Sequence, residues 1–309
     1  MTHVFIDGGH GTTGLEIRER LSGRAELTIL EIDEARRKDA AARREVLNDA
    51  DIVILCLPDD AAIEAVSLID NDRTCVIDAS SAHRTAPGWT FGFHEIFEGG
   101  RDLLRASKRI SNPGCYPTGF LALVKPLVDA ALIARDWPLT VNAVSGYSGG
   151  GKAMIAEFEQ GNAAPSWRTY ALGLTHKHVP EMQRHAGLVH APVFAPSVAA
   201  TYRGMIVDVP LSLAAMPSKP TASQIADILR RTFADSPVIT LIENYDEATL
   251  SIDHAAGTDR LDLFVFANAD DSQVRLVAAL DNLGKGAGGA CVQSLNIVAG
   301  LDEVAGLRL

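Results

Sequence analysis

Asp7-Gly8-Gly9-His10-Gly11-Thr12-Thr13-Gly14 stands between an apolar run, His3–Asp7, and a helical pattern over Gly14–Ser22. Gly9, Gly11 and Gly14 satisfy G-x-G-x-x-G. Between a strand and a helix the pattern has a defined physical use. The first glycine permits the tight turn, the second lets backbone approach a pyrophosphate, and the third lets helix and strand pack closely. The phosphates then rest on the helix N-terminus, where N–H groups and the helix dipole favour anions. Alone the pattern is weak and fits a plain tight turn. In this context it predicts a dinucleotide site formed by Gly9, Gly11, Thr12, Thr13 and Gly14.

Outward from this turn, apolar runs and helical patterns alternate. Leu27–Ile32, Asp51–Leu57 and Cys75–Ala79 read as strands, Glu34–Asn48 and Asp59–Ile69 as helices. Short strands separated by helices predict βαβ units and a parallel, doubly wound sheet with right-handed crossovers. The second strand ends at Glu31-Ile32-Asp33, with Arg36-Arg37-Lys38 just beyond. An acid there suits the ribose 2′-hydroxyl of NAD, and an arginine such as Arg36 suits the 2′-phosphate of NADP. The sequence offers both, and a solvated helix face also fits Arg36–Lys38.

Beyond Pro138 strand-like runs dominate: Leu139–Val144, Pro192–Val198, Gly204–Leu213, Val238–Glu243, Leu261–Ala267 and Val274–Leu280, interrupted by a helical Ala222–Phe233. Alternation within them predicts an antiparallel or mixed sheet with helices on one face. Asn282–Gly289 reads as a glycine-rich turn and Ala290–Ala299 as a final helix. The fold class is thus α/β followed by α+β.

The 309 residues carry a net charge of 28 − 39 = −11, which disfavours nucleic acid or an anionic membrane as partner. No apolar run reaches the ~20 residues of a membrane helix. The start, Met1-Thr2-His3-Val4-Phe5-Ile6-Asp7, lacks a basic region and turns polar at once, unlike a signal peptide, so a cytoplasmic location is expected. None of the four cysteines forms a C-x-x-C pair, and no metal is expected. Cys56, Cys75 and Cys291 lie in apolar runs and read as small buried hydrophobes.

Cys115 has different neighbours. Ser111-Asn112-Pro113-Gly114-Cys115-Tyr116-Pro117-Thr118-Gly119 precedes an apolar helical run, Leu121–Val128. Glycine and proline force a turn, and Pro117 falls where a first-turn proline is tolerated. The sulfur is therefore placed at a helix N-terminus, which favours thiolate over thiol. A nucleophilic cysteine needs a positioned acid or base. The candidates lie in Thr175-His176-Lys177-His178-Val179-Pro180-Glu181. A metal pair and a solvated loop compete with a catalytic histidine beside a substrate-binding one. Imidazole exchanges protons near neutrality without special tuning. A nicotinamide cofactor, a nucleophilic cysteine and a histidine together suggest hydride exchange with a cysteine-bound acyl group, whose donor in the reductive direction is an activated acid such as an acyl phosphate.

Ser111–Gly119, His176–Glu181, the Gly8–Gly14 turn and Asn282-Leu283-Gly284-Lys285-Gly286-Ala287-Gly288-Gly289 resemble N-acetyl-gamma-glutamyl-phosphate reductases of arginine biosynthesis, in their shorter form. The resemblance implies a Rossmann domain plus a catalytic domain of the glyceraldehyde-phosphate-dehydrogenase type. The implied boundaries are 1–115 with a returning helix 285–309 for NADP binding, and 116–284 for catalysis and oligomerisation. It implies NADPH-dependent reduction of N-acetyl-L-glutamyl 5-phosphate to the semialdehyde, in a homodimer or homotetramer. Cys115 is then the nucleophile and the histidine pair supplies the base, His176 slightly favoured. His178, Glu181 and Ser148 fall to the substrate, and Asn112, Asn282 and Gly286 to the cofactor. Ser148 lies in Ser145-Gly146-Tyr147-Ser148-Gly149, which resembles the family's S-G-x-S-G loop and also suits a flexible hairpin connection. Two departures stand out: His10 inside the glycine turn, and Asp78-Ala79-Ser80-Ser81-Ala82-His83-Arg84, a loose match to D-x-S-A-D-x-R. Aspartate-semialdehyde dehydrogenase, an aminoadipyl-phosphate reductase and a non-catalytic NAD(P) sensor are the alternatives.

Overall fold

The computed structural model describes residues 1–36, 39–160 and 164–309. The chain divides into two compact units, Met1–Pro113 with Ala287–Leu307, and Gly114–Gly286 with Arg308–Leu309.

The first unit runs β1 (Thr2–Asp7), α1 (Thr12–Leu21), β2 (Leu27–Leu30), α2 (Ala40–Asp49), β3 (Ile52–Leu55), α3 (Asp59–Ser67), β4 (Cys75–Asp78), β5 (Thr90–Phe91), α4 (Gly100–Ala106) and β6 (Arg109–Ser111). Its strands form one sheet in the order β2-β1-β3-β4-β6-β5, every neighbouring pair parallel. β3 and β4 are buried along their whole length, so they read as continuous apolar runs rather than alternating ones. Val4, Ile6, Ile54, Ile77 and Ile110 face one core with Ile17 and Leu21 of α1, while Phe5, Val53, Leu55 and Val76 face another with Leu47 and Ala62. The helix expected over Glu34–Asn48 is shorter. A 3₁₀ turn covers Glu34–Arg36, and α2 starts after Asp39, whose carboxylate accepts the Ala41 N–H at 2.9 Å and caps the helix there. Arg37 and Lys38 lie outside the described residues.

The second unit runs α5 (Cys115–Asp129), β7 (Thr140–Gly146), α6 (Gly151–Gln160), β8 (Trp167–Thr169), α7 (Val179–Ala186), β9 (Val193–Ala199), β10 (Met205–Ser212), α8 (Ala222–Thr232), β11 (Ile239–Leu241), β12 (Leu261–Ala267) and β13 (Gln273–Leu280). The sheet order is β11-β12-β13-β10-β7-β9-β8, with parallel pairs at β11/β12 and β7/β9 and antiparallel pairs elsewhere. α5 is apolar almost all round and packs on β10 and β13. A Cβ on Gly119 would come within 2.7 Å of Val207 Cγ2, so the glycine lets α5 lie close on the sheet. α8 is fixed by a capping box between Thr221 and Gln224. Periodicity misses α6 because it buries no residue, and α7 because it is short and mostly polar.

The glycine-rich stretch expected as a turn is helical. Gly284–Gly288 forms a π-helical turn that runs straight into α9 (Gly289–Val298). Cys291, Val292, Leu295 and Ile297 of α9 complete the core of the first unit beside α1 and α4. After α9, Glu303 accepts from Arg101 Nε at 2.6 Å and Gln293 Nε2 at 2.8 Å, and lies 3.2 Å from His94 Nε2. Burial opposes ionisation of Glu303, but these hydrogen bonds outweigh it and hold its carboxyl down at about 2. No helix among the described residues is long and apolar enough to cross a membrane.

Candidate active site

In the first unit the loop after β1 carries its positive φ at Gly8, +81°, where a Cβ would collide with the Cys56 carbonyl oxygen at the end of β3. The tight turn therefore belongs to Gly8, one residue before the motif glycine Gly9. At Gly14 a Cβ would lie 2.6 Å from Gly9 Cα, so helix and turn meet only through a glycine, as the motif requires. Gly11 differs in degree: a Cβ there would meet the Gly8 carbonyl oxygen at 3.3 Å, a tight contact, and the Cys56 carbonyl oxygen at 4.0 Å. The protein's own packing restricts that position less than it restricts Gly8 and Gly14, and a larger side chain would fill the space before α1. Gly11 is the N-cap of α1, with no side-chain cap and no acid in the first turn, which holds Thr12 and Thr13. The turn also sits at the point where the strand order reverses between β1 and β3, where α/β sheets bind ligands. Arg36 is exposed in the 3₁₀ turn that follows β2, 3.6 Å from Asp39. These residues fit a phosphorylated dinucleotide.

In the second unit Cys115 is the first residue of α5, after the extended N-cap Gly114. Cys115 is half-buried, as is Cys56, expected to be buried, whereas Cys75 and Cys291 are buried. Burial pushes the Cys56 thiol up to about 12 and Cys75 to about 11, and Cys291 well above its ordinary value. Those three thiols stay protonated. The buried Glu181, on the first turn of α7, accepts the Gly114 N–H at 2.7 Å and so pins the loop before the sulfur. A Cβ on Gly286 would lie 2.9 Å from Cys115 Cβ, so the π-helical turn runs directly against the cysteine.

The two histidines share one cluster. Their ring centroids are 4.7 Å apart, His178 caps α7, and His178 N–H donates to His176 Nδ1 at 3.1 Å. A ring that accepts at Nδ1 carries its neutral proton on Nε2. His176 thus starts as a hydrogen-bond donor, and taking a proton would cost it the bond from His178. Phe194, Tyr116 and Tyr170 pack around the His176 ring at 5.2, 6.1 and 5.8 Å between centroids. Tyr170 OH donates to Tyr116 OH at 3.0 Å, and Tyr116 OH donates to the Ser197 carbonyl at 3.1 Å. Burial, with Tyr170 and Cys115 nearby, pushes the Tyr116 phenol well up, and burial pushes Tyr170 to about 12. Sequence reasoning missed this tyrosine pair. Tyr116 adjoins the cysteine in sequence and was at hand, but no local signal marks Tyr170.

The remaining candidates separate. Ser148 is buried and its Oγ accepts from Asn282 Nδ2 at 2.8 Å, while Asn282 Oδ1 accepts the Gly204 N–H at 3.0 Å. Asn282, expected at the cofactor, thereby ties the loop after β7 to the residue before β10. Asn112, in the first unit, donates through Nδ2 to the Ala287 carbonyl at 3.2 Å. Its Oδ1 is buried without a hydrogen-bond partner among the described residues, an orphan acceptor of the kind a ligand amide would satisfy.

Residues 115–282 match the family described as semialdehyde dehydrogenase, dimerisation domain. The N-acetyl-gamma-glutamyl-phosphate reductases of Brucella ovis and Brucella abortus are each 47% identical over 305 residues, 96% of this chain and 98% of theirs. The chain belongs to the N-acetyl-gamma-glutamyl-phosphate reductase family. Solved aspartate semialdehyde dehydrogenases share the fold of this reductase family member. The one from Francisella tularensis aligns with a TM-score of 0.71 at 14% identity, covering 96% of this chain and 100% of that one. The Candida albicans enzyme solved with NADP gives 0.65 at 14%, covering 96% and 98%.

Proposed function

We propose that this chain reduces N-acetyl-L-glutamyl 5-phosphate to N-acetyl-L-glutamate 5-semialdehyde with NADPH, releasing phosphate, as a cytoplasmic homodimer or homotetramer. The observation that carries the reading is near-full-length identity of 47% to reductases of that name, joined to a half-buried cysteine at the start of α5. The match to a dimerisation domain supports the oligomer.

The start of α5 stabilises the Cys115 thiolate, and the histidine pair, packed on the neighbouring Tyr116, receives the proton. The thiolate attacks the acyl carbon. A C–S bond forms, the carbon–phosphate oxygen bond breaks, and phosphate leaves. When bound at the Gly8–Gly14 turn, NADPH supplies the hydride for reducing the thioester carbon. His176 Nε2–H is the donor set to hold the oxygen on that carbon as charge develops. The C–S bond then breaks, the aldehyde departs, and Cys115 recovers its proton. Glu181 and Gly286 fix the sulfur, Tyr116 and Tyr170 fix the His176 ring, and Asn282 steadies Ser148 against the substrate. Arg36 supports NADP over NAD.

The test is the reverse reaction, following NADPH formation with phosphate and three semialdehydes. N-acetylglutamate semialdehyde is expected to exceed aspartate semialdehyde and the one-carbon-longer homologue by at least about 100-fold in kcat/KM. Preference for either competitor would overturn the substrate assignment.

A further inference from the structure

At the C-terminal end of β4 the fold builds a device that the mechanism above does not use. Asp78 is fully buried, and its Oδ2 lies 2.6 Å from both Ser80 Oγ and His83 Nδ1. Its Oδ1 accepts the Ser80 N–H at 2.9 Å. The His83 ring stacks on Trp89, with centroids 4.0 Å apart and planes 14° apart. A loop that needed only a turn would be closed by the bond to Ser80 N–H alone. The histidine is instead gripped at one nitrogen and across one face. An ionised Asp78 can only accept, so Nδ1 carries the proton and neutral His83 presents a lone pair at Nε2. That nitrogen makes no hydrogen bond among the described residues, although the side chain is 11% exposed.

The sheet places Asp78, which grips this ring, in one row with the start of the glycine turn. Register runs Asp7–Leu55–Asp78–Ser111 across β1, β3, β4 and β6, one row of strand C-terminal ends. Neighbouring strands are about 4.8 Å apart, so Asp78 lies roughly 10 Å along that row from Asp7, where the turn begins. A dinucleotide seated on the turn with its 2′-phosphate toward Arg36 has its adenosine half on the β2 side. Its other half extends across β3 to the end of β4. We propose that His83, held by Asp78 and Trp89, is a binding residue for the nicotinamide half of the cofactor, its Nε2 accepting a hydrogen bond from a ribose hydroxyl. The assignment rests on the reading of the first unit as an NADPH site.

The experiment compares two probes on the intact enzyme, NADPH by fluorescence titration and adenosine 2′,5′-bisphosphate, which lacks the nicotinamide half, by calorimetry. His83→Ala, and His83→Phe which preserves the stack on Trp89, are both expected to raise the Kd for NADPH about tenfold. The Kd for the bisphosphate should stay within about twofold of wild type. Unchanged NADPH binding, or equal weakening of both probes, would overturn the proposal. Wild-type protein that binds neither probe would instead remove the cofactor reading beneath it.

Discussion

α1 and α5 begin alike and serve differently. Each follows a strand of the first sheet, and each has a glycine N-cap with extended backbone and no side-chain cap: Gly11 at φ −76°, ψ 168°, and Gly114 at φ −73°, ψ 153°. At α1 the first turn holds two threonines and no acid. At α5 it holds a thiol, and the Gly114 N–H already belongs to a carboxylate, that of Glu181. On the proposed reading, one backbone device would offer N–H groups to a cofactor phosphate in one place and steady a single sulfur in the other. The positive pole of a helix says that something electron-rich belongs there, and the surrounding side chains say what.

The harshest way to break this comparison is Cys115→Ser. Turnover should fall by ~10³-fold or more while NADPH affinity holds; near-normal turnover would end the covalent mechanism. Gly11→Val attacks the other helix start. It should weaken NADPH binding by about 100-fold, read by fluorescence titration on protein shown by circular dichroism to be folded, because bulk at that position fills the space a phosphate would take. Unaltered affinity would remove the phosphate role. Brief alkylation at neutral pH, mapped by mass spectrometry, should label Cys115 and spare Cys56, Cys75 and Cys291, whose thiols burial pushes up. Glu181→Gln sharpens the contrast. It keeps an acceptor for the Gly114 N–H but removes a negative charge from the helix start, so alkylation of Cys115 should quicken about threefold. A slower rate would mean that the carboxylate serves the thiolate through geometry alone.

The smallest effect lies away from both helix starts. Glu303 titrates at about 2 in the folded chain against 4.5 unperturbed, so its stabilisation is whole above pH 4.5 and disappears as the pH falls toward 2. With allowance for solvent screening this is about 1–2 kcal/mol, and Glu303→Gln should flatten that part of the acid unfolding curve. An unchanged curve would place the acid sensitivity elsewhere.

Local pattern carried much of this. The glycine turn, the parallel strands and the cysteine before an apolar helix are legible because each depends on residues within one strand–turn–helix segment. What the pattern could not show depends on partners far along the chain. Glu181, expected at the substrate, accepts the Gly114 N–H, 67 positions away. Asn282, expected at the cofactor, donates to Ser148, 134 positions away. Gly284–Gly288 reads as a loop because glycine is a poor helix former, yet close packing on Cys115 requires a residue without a side chain there. α6 buries nothing, so it left no periodic trace.

The return of α9 to the first unit has a consequence for synthesis. Every strand of the parallel sheet has been translated by Ser111, yet Cys291, Val292, Leu295 and Ile297, which seal one face of its core, are made only after 179 intervening residues. On the ribosome that face must wait, apolar and uncovered, in the meantime, which is time for a chaperone to bind or for nascent chains to associate.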